Sequence, residues 1–467
     1  MPPVQTEIAA HATVTQPMMP HSIVSEQVIP LLQALIQNAC INTGDDDSGE
    51  ETRSIETIQS FLREYNIDSR FYYSRPDRAN LVARIRGTDP MAPSLGYMGH
   101  VDVVPADADD WSRDPFGGEL VDGEVWGRGS VDMLGMVSCF TSAFASLADP
   151  DRQPPGDVLL IIVSDEEAGG TFGARHLVEH HWDEIKCDYM ITEVGGLQIV
   201  TDDGPAITLT VGEKGVCWAR LRFRGIPGHG SMPYRSDNAA RTASDALVRI
   251  ANASTPRVMT PLIRSMAHAF FQGPLEHVLS RFPGCFDLAL SRLYRRDPGK
   301  ARFLDTASRM TISPGVLRGG SKVNIVPDRA ELELDIRILP GQTVEHTQAV
   351  LLDALGPLSE NVEIEFFEFF PANISERDTA LWHATERICD ELLPDTHIVP
   401  MYMGGVTDGR YWRQRGTTVY GFAANSPLLS MDQFSRRIHG IDERIDLRSL
   451  ELNTEYLMRL PFELRST

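Results

Sequence analysis

The stretch DVLLIIVSDEEAGG, residues 157–170, sets an uninterrupted apolar run directly against three carboxylic acids and a glycine pair. Val158–Val163 shows no alternation of apolar and polar residues, so both faces of the strand it forms must be covered. Such strands belong to parallel sheets packed between two layers of helices. Asp165, Glu166 and Glu167 then stand at the carboxyl end of the strand, where adjacent negative charges repel unless cations or protons offset them. On its own the triplet fits an acidic turn as well as a site.

Outward from this run the same texture repeats. Asn80–Ile85, Ser94–Met98 and Tyr189–Thr192 are further short β-rich runs, and Met133–Leu147 and Gly173–His181 carry helical patterns between them. Toward the amino terminus, apolar residues recur at helical spacing over Ser22–Asn38. The acidic stretch Asp45–Glu51 leads into a helix through Ile55, Ile58, Phe61 and Leu62, and its carboxylates are expected to cap that helix or lie in a solvated loop. After Val211 the pattern changes. GVCWARLRFRG and RAELELDIRIL alternate apolar with polar residues, as strands with one solvated face do. Helical patterns around Asn238–Ala251 and an apolar-rich stretch from Pro261 to Leu293 lie between them. A helix over Ala380–Leu393, the strand-like IVPMYM and TTVYGFA, and a last helix follow. The expected architecture is an α/β domain with a parallel sheet, residues 22–211 and 369–467, interrupted by an inserted α+β domain at 212–368.

Composition bounds the function. The 467 residues suit two or three domains, and 42% hydrophobic with 23% charged residues is an ordinary globular balance. With 43 Lys+Arg against 65 Asp+Glu, the net charge of −22 argues against nucleic acid or an anionic membrane as partner. No apolar run reaches the roughly 18 residues needed to span a bilayer. The first 21 residues hold no Lys or Arg and no apolar core, so they read as a mobile polar arm on a cytoplasmic protein. Six scattered cysteines without a CxxC pair read as free thiols in a reducing compartment.

Five clusters stand at the ends of strand-like runs. In LGYMGHVDVVP, His100 and Asp102 are two apart and point to one side of an extended segment. In VWGRGSVDMLGM, Asp132 sits at the start of an apolar helix, where a cap is the plain alternative. SDEEAGG, TEVGG with Glu193, and RRIHGIDERI with His439 complete the set. Singly each is as well explained by structure. Jointly, two histidines and several carboxylates at the carboxyl ends of one parallel sheet face a common crevice. Mixed imidazole and carboxylate donors suit Zn²⁺, and more acids than one ion needs point to two ions.

In this order GHVDVVP, Trp111-x-x-DPF, GRGSVDMLG, SDEEAGG, TEVGG and RIHGIDE resemble the dinuclear zinc amidohydrolases. That family includes aminoacylase, acetylornithine deacetylase, succinyl-diaminopimelate desuccinylase, glutamate carboxypeptidase and carboxypeptidase S. GEKG, GIPGHGSMPYRSDNAA, GGSKVNIVPD, DIRILPGQT and MGGVTDGRYW extend the likeness over about residues 22–460. The resemblance implies a zinc-peptidase catalytic domain with an inserted ferredoxin-like dimerisation or lid domain. It implies that Asp132 bridges two zinc ions, one completed by His100 and Glu193 and the other by Glu167 and His439. It assigns Asp102 to orienting His100, Glu166 to general base and His229 to the oxyanion, often from a partner subunit. Arg337, Asn324, Gly404 and Gly405 match substrate-binding positions. Leu134 departs from the pattern, which usually has Lys there.

The resulting expectation is a homodimeric, cytoplasmic hydrolase of a linear amide bond in a small peptide or N-acyl amino acid. It would use two Zn²⁺ per subunit, replaceable by Co²⁺ or Mn²⁺. A scaffold that keeps the fold without catalysis would show a lost ligand or base, yet all five ligands and Glu166 are present. A nucleotide-binding protein would show GxGxxG or GxxxxGK[ST], absent at both glycine-rich turns. His176, His180 and His181 read as a solvated helix face.

Overall fold

The structure, a computed structural model, describes residues 20–45 and 47–464. Of the arm expected at 1–21, residues 1–19 lie outside the described residues, while Pro20 opens the first helix.

The centre is a ten-stranded sheet whose middle is parallel: β1 (Leu95–His100), β2 (Val158–Val163), β3 (Tyr189–Thr192) and β4 (Thr418–Gly421). They lie in the order β2-β1-β3-β4, with β2 pairing β1, β1 pairing β3 and β3 pairing β4 in parallel. Antiparallel strands flank this middle, including Arg78–Ile85 beside β2. The register aligns the carboxyl ends, since His100 faces Val163 and Gly421 faces Thr192.

The unbroken apolar run of β2 has a direct explanation. Val158, Leu160 and Ile162 enter one hydrophobic core, and Leu159, Ile161 and Val163 enter another on the opposite face. At about 1.5–3 kcal/mol for each fully buried side chain, a polar residue at any of the six would be costly. Helix α1 (Leu134–Ala145) is buried along its whole length under the first face, where Leu447–Glu463 packs on it. Two of its hydroxyls are satisfied inside the helix, Ser138 and Thr141 each donating to the carbonyl four residues back at 2.8 Å. Helix α2 (Ala174–His180) covers the other face through Ala174, Leu177 and Val178.

A separate four-stranded antiparallel sheet holds Gly215–Arg224, Thr311–Gly319, Arg329–Ile338 and Val362–Phe370. With helices Ala239–Ala251 and Val344–Leu355 it runs strand-helix-strand-strand-helix-strand, the ferredoxin-like plan, around a core of its own. The alternation read in two of its strands is the alternation of core and solvent faces. The helices between Pro261 and Ser308 behave differently. Leu262, Met266, Phe270, Phe286, Leu293 and Leu304 join the large core, not the core of this small sheet.

Candidate active site

Three clusters leave the parallel strands at one edge: His100 at the end of β1, Glu166 and Glu167 after β2, and Glu193 after β3. The other two depart from the expected strand ends, since Asp132 follows Glu124–Trp126 of a separate three-stranded sheet and His439 follows the helix Met431–Arg437. His100 ends β1, and its Nδ1 lies 3.0 Å from the main-chain oxygen of Asp102 and 3.5 Å from Asp102 Oδ1. That contact turns Nε2 toward Asp132 Oδ1 at 3.3 Å and Glu193 Oε2 at 3.7 Å. The Asp102 carboxylate is occupied elsewhere. It accepts the backbone N–H groups of Glu166 and Glu167 at 3.1 and 3.0 Å and the Asn42 amide at 2.9 Å, so it fixes the turn after β2.

That turn is a single 3₁₀ turn, Glu166–Ala168, entered through Asp165 at φ 72°. Asp165 is buried and receives Arg78 at 3.0 Å, and Arg78 also donates to Glu51 at 2.8 Å. Glu51 therefore departs from its expected place in a cap or solvated loop. It is buried beneath the site, accepts the Asp165 N–H at 3.2 Å and makes no cap bond. From the other side, Arg410 and the Tyr411 hydroxyl donate to the Gly169 carbonyl at 2.8 and 3.0 Å.

Asp132 is not a helix cap. Met133 holds the N-cap position of α1 without a side-chain bond. The turn before it hangs on buried Glu443, which accepts the N–H groups of Val131 and Asp132 at 2.8 and 3.1 Å and the Arg128 guanidinium at 2.7 Å. Asp132 thereby sends Oδ1 to His100 and Oδ2 to His439 Nε2 at 3.2 Å, and His439 also lies 3.2 Å from Glu167 Oε2. Both His439 and Val194, the residue after Glu193, are non-glycine residues held at φ 55° and 60°. Strain of this kind collects at functional sites. Val194 is kept there by close backbone packing: a Cβ on Gly196 would fall 1.5 Å from the Ala423 carbonyl, which explains the glycine pair of TEVGG.

The electrostatics are those of a site short of positive charge. Burial, then the charge of Asp132, pushes Glu193 up to about 8. Burial, then Glu193, raises Glu166 well above the carboxylate range. Hydrogen bonds that His439 donates to Asp132, then to Glu167, lift it to about 10. Burial opposes a low value for Asp132, but His100 and His439 outweigh it. Among the described residues neither carboxylate oxygen of buried Asp408 has a hydrogen-bond partner, and burial pushes it up to about 7. Two donor sets, His100–Glu166–Glu193 and His100–Asp132–Glu167, have their ligating atoms within 4.8 Å of one another. Imidazole and carboxylate oxygen in such numbers fit divalent cations, which would offset the charge.

The other residues singled out in the sequence lie apart. His229 is exposed in a two-residue strand paired with Ile325–Val326, its Nδ1 2.7 Å from Ser231 Oγ. Asn324 is exposed and its carbonyl accepts the Gly230 N–H at 2.8 Å. Arg337 donates to Asp335 at 2.6 Å. Gly404 and Gly405 follow the strand His397–Met403.

A sequence model of peptidase family M20/M25/M40 matches residues 96–463, which includes every one of these clusters. The chain belongs to this family. Family M20 enzymes are metal-dependent peptidases and amidohydrolases, and this chain is an enzyme acting on amide or peptide bonds. It is 37% identical over 399 residues to the succinyl-diaminopimelate desuccinylase of Rhodospirillum rubrum, spanning 82% of this chain and 84% of that protein. It is 26% identical over 397 residues to the N-fatty-acyl-amino acid synthase/hydrolase PM20D1 of Xenopus tropicalis, spanning 81% and 73%. Among solved structures, the M20 metallo-carboxypeptidase Sso-CP2 of Sulfolobus solfataricus superposes with a TM-score of 0.69 at 16% identity, covering 93% of this chain and 99% of that one. Among the described residues no helix is long and apolar enough to cross a membrane.

Sequence reasoning missed the layer beneath the M20 site: Asn42, Glu51, Arg78, Arg128, Asp408 and Glu443. Arg128, Asp408 and Glu443 did lie inside quoted motifs, GRGS, MGGVTDGRYW and HGIDE, and for Arg128 and Glu443 a buried pair between two such motifs was the available signal.

Proposed function

We propose that the enzyme hydrolyses the linear amide bond of a small peptide or N-acyl amino acid with two divalent ions, zinc by preference and Co²⁺ or Mn²⁺ in its place. Asp132 would lie between the ions, with His100 and Glu193 on one and Glu167 and His439 on the other. The observation that carries this reading is the divided carboxylate of Asp132, whose Oδ1 and Oδ2 face different histidines at 3.3 and 3.2 Å. When bound, the ions supply Lewis-acid polarisation of the scissile carbonyl and a lowered pKa for water.

The chain's own groups do the rest. Glu166, on a turn fixed by Asp102, takes the proton of the attacking water and delivers it to the leaving amine. Asp102 also holds His100 through Nδ1, so that Nε2 faces the ions. His229 donates to the oxyanion. Its exposed ribbon, carrying exposed Ile226, Met232, Tyr234 and Val323, supports delivery to the partner's site in a homodimer. Arg337, once released from Asp335, binds the substrate carboxylate with Asn324, and Gly404 and Gly405 offer backbone donors. Five buried free thiols support a reducing, cytoplasmic setting.

The test is elemental analysis joined to a substrate panel. Purified enzyme should hold about two transition ions per chain and lose activity reversibly in chelator. Dipeptides and N-acetyl, N-succinyl and longer N-acyl amino acids, assayed with Zn²⁺, Co²⁺ and Mn²⁺, then name the substrate. Full activity in chelator with no bound transition metal would falsify the dinuclear reading.

A further inference from the structure

Away from the M20 site, three imidazoles are gathered in one place. Helix α2 carries His176 and His180 one turn apart, and His181 is its C-cap residue. The ring centroids of His176 lie 5.0 Å from those of His180 and 5.5 Å from those of His181, and His180 and His181 are 6.5 Å apart. Two imidazoles bound to one tetrahedral ion by bonds of about 2.0–2.1 Å have their centres roughly 5 Å apart. The rings therefore already stand near ligating spacing.

One of the nitrogens is unexplained by the protein alone. His176 Nε2 is buried and has no hydrogen-bond partner among the described residues, a state that nearly every buried polar atom avoids. No carboxylate settles the cluster: Glu179 is held by Arg175 at 2.8 Å, and Glu184 is 3.7 Å from His181 Nδ1. Burial, then the neighbouring His180 and His181, holds His176 below the ordinary imidazole range, which keeps it in the neutral form that binds metals. The nitrogens of the three rings do not converge within 4.8 Å as they stand. A half turn of an imidazole about Cβ–Cγ exchanges nitrogen and carbon without moving the ring centre, and His180 is exposed. The alternative is a neutral stack continued onto Tyr72, whose ring is 4.5 Å from that of His181.

We propose that His176, His180 and His181 bind one divalent transition ion of the imidazole-preferring class, Zn²⁺, Ni²⁺ or Cu²⁺, at a site separate from the catalytic cluster. Oxygen-seeking ions such as Mg²⁺ and Ca²⁺ are excluded by the all-nitrogen donor set. The His268–His277 pair, with centroids 4.9 Å apart, is the weaker candidate because its nitrogens are already paired with Asp203 at 3.3 Å and Asp202 at 3.0 Å. The ion would brace the end of α2, which follows directly from the turn that bears Glu166 and Glu167, and its role is structural.

The experiment counts zinc. Enzyme holding its catalytic metals is dialysed against micromolar Zn²⁺ at about pH 7.5, then at about pH 5.5 where imidazoles protonate. Wild type should retain one additional zinc per chain at the higher pH and release it at the lower. His180→Asn/His181→Asn should retain none, with kcat and the melting temperature in chelator unchanged. If the double variant does not fold, His180→Asn alone should weaken the additional zinc at least about tenfold, since a lost ligand leaves two. The proposal is overturned if wild type takes up no additional zinc, if the variants keep it, or if His277→Asn removes it instead.

Discussion

Four carboxylates share two histidines at the ends of the parallel strands: Asp132, Glu166, Glu167 and Glu193 with His100 and His439. On the outer face of the four-stranded sheet, Glu331, Glu333, Glu363 and Glu365 also cluster, but they meet four arginines, Arg220, Arg222, Arg224 and Arg318. The surroundings differ. Side chains of Asp132, Glu167 and Glu193 are at most 10% exposed, whereas those of Glu331, Glu333, Glu363 and Glu365 are 20–57% exposed. The second set is matched by arginines and screened by water and salt, so it is tolerated where it stands. The first set has no such screening and must take up protons or cations. Burial and the shortage of cations, not the carboxylates themselves, make one group an ion site and the other a surface ladder.

The contrast is sharpened most by Glu166→Gln. It should leave metal content unchanged and lower kcat by about 10²–10⁴-fold. A loss of less than tenfold would sink the assignment of Glu166 as base. Next comes Arg78→Met, which strands Glu51 and Asp165 without their buried cation. Loss of one partner from a buried pair costs about 3–5 kcal/mol, so the denaturation midpoint should fall well below that of wild type. An unchanged midpoint would mean that the layer under the site carries no stability.

A smaller effect concerns pH in chelator. Burial, ahead of like charges, pushes Glu51 and Glu193 up to about 8 and Asp408 and Glu443 to about 7. An acid whose folded pKa exceeds its unfolded value binds its proton more tightly when folded. Its contribution is complete below the unfolded pKa and is lost as pH rises through the folded one. Metal-free protein should therefore melt at progressively lower temperature between about pH 5 and pH 8, and restoring metal should reduce the slope by removing the share of Glu193. A flat or rising profile in chelator would contradict this. The smallest effect belongs to the ladder: Arg222→Ala should change stability by about 1 kcal/mol or less and leave kcat alone, because exposed pairs contribute little.

Much of this was legible in the sequence because it is written in runs. Val158–Val163 announces a doubly covered strand, and His100, Glu166, Glu167 and Glu193 follow strand ends, where a parallel sheet must collect them; Asp132 and His439 reach the same place from a separate sheet and from a helix. Arg78 and Glu443 carry no such mark. Each is a single polar residue whose burial depends on a partner far along the chain. Glu51 was misread for a related reason: it ends an acidic stretch in which Asp45, Asp47 and Glu50 are exposed, and periodicity cannot say which one turns inward. The helices between Pro261 and Ser308 are apolar enough for either core, and only the three-dimensional arrangement assigns them to the larger.

The Arg128–Glu443 pair joins residues 315 positions apart, and the same late loop brings His439. At synthesis rates of about 5–20 residues per second, Asp132 leaves the ribosome roughly 15–60 s before the glutamate that anchors its turn. Late in that interval the nascent chain has the parallel strands and all four acids but not the contact that anchors the turn of Asp132. Activity is thus withheld until Glu443 has been made, and a truncation before it removes both this anchor and the helix Leu447–Glu463 that covers α1.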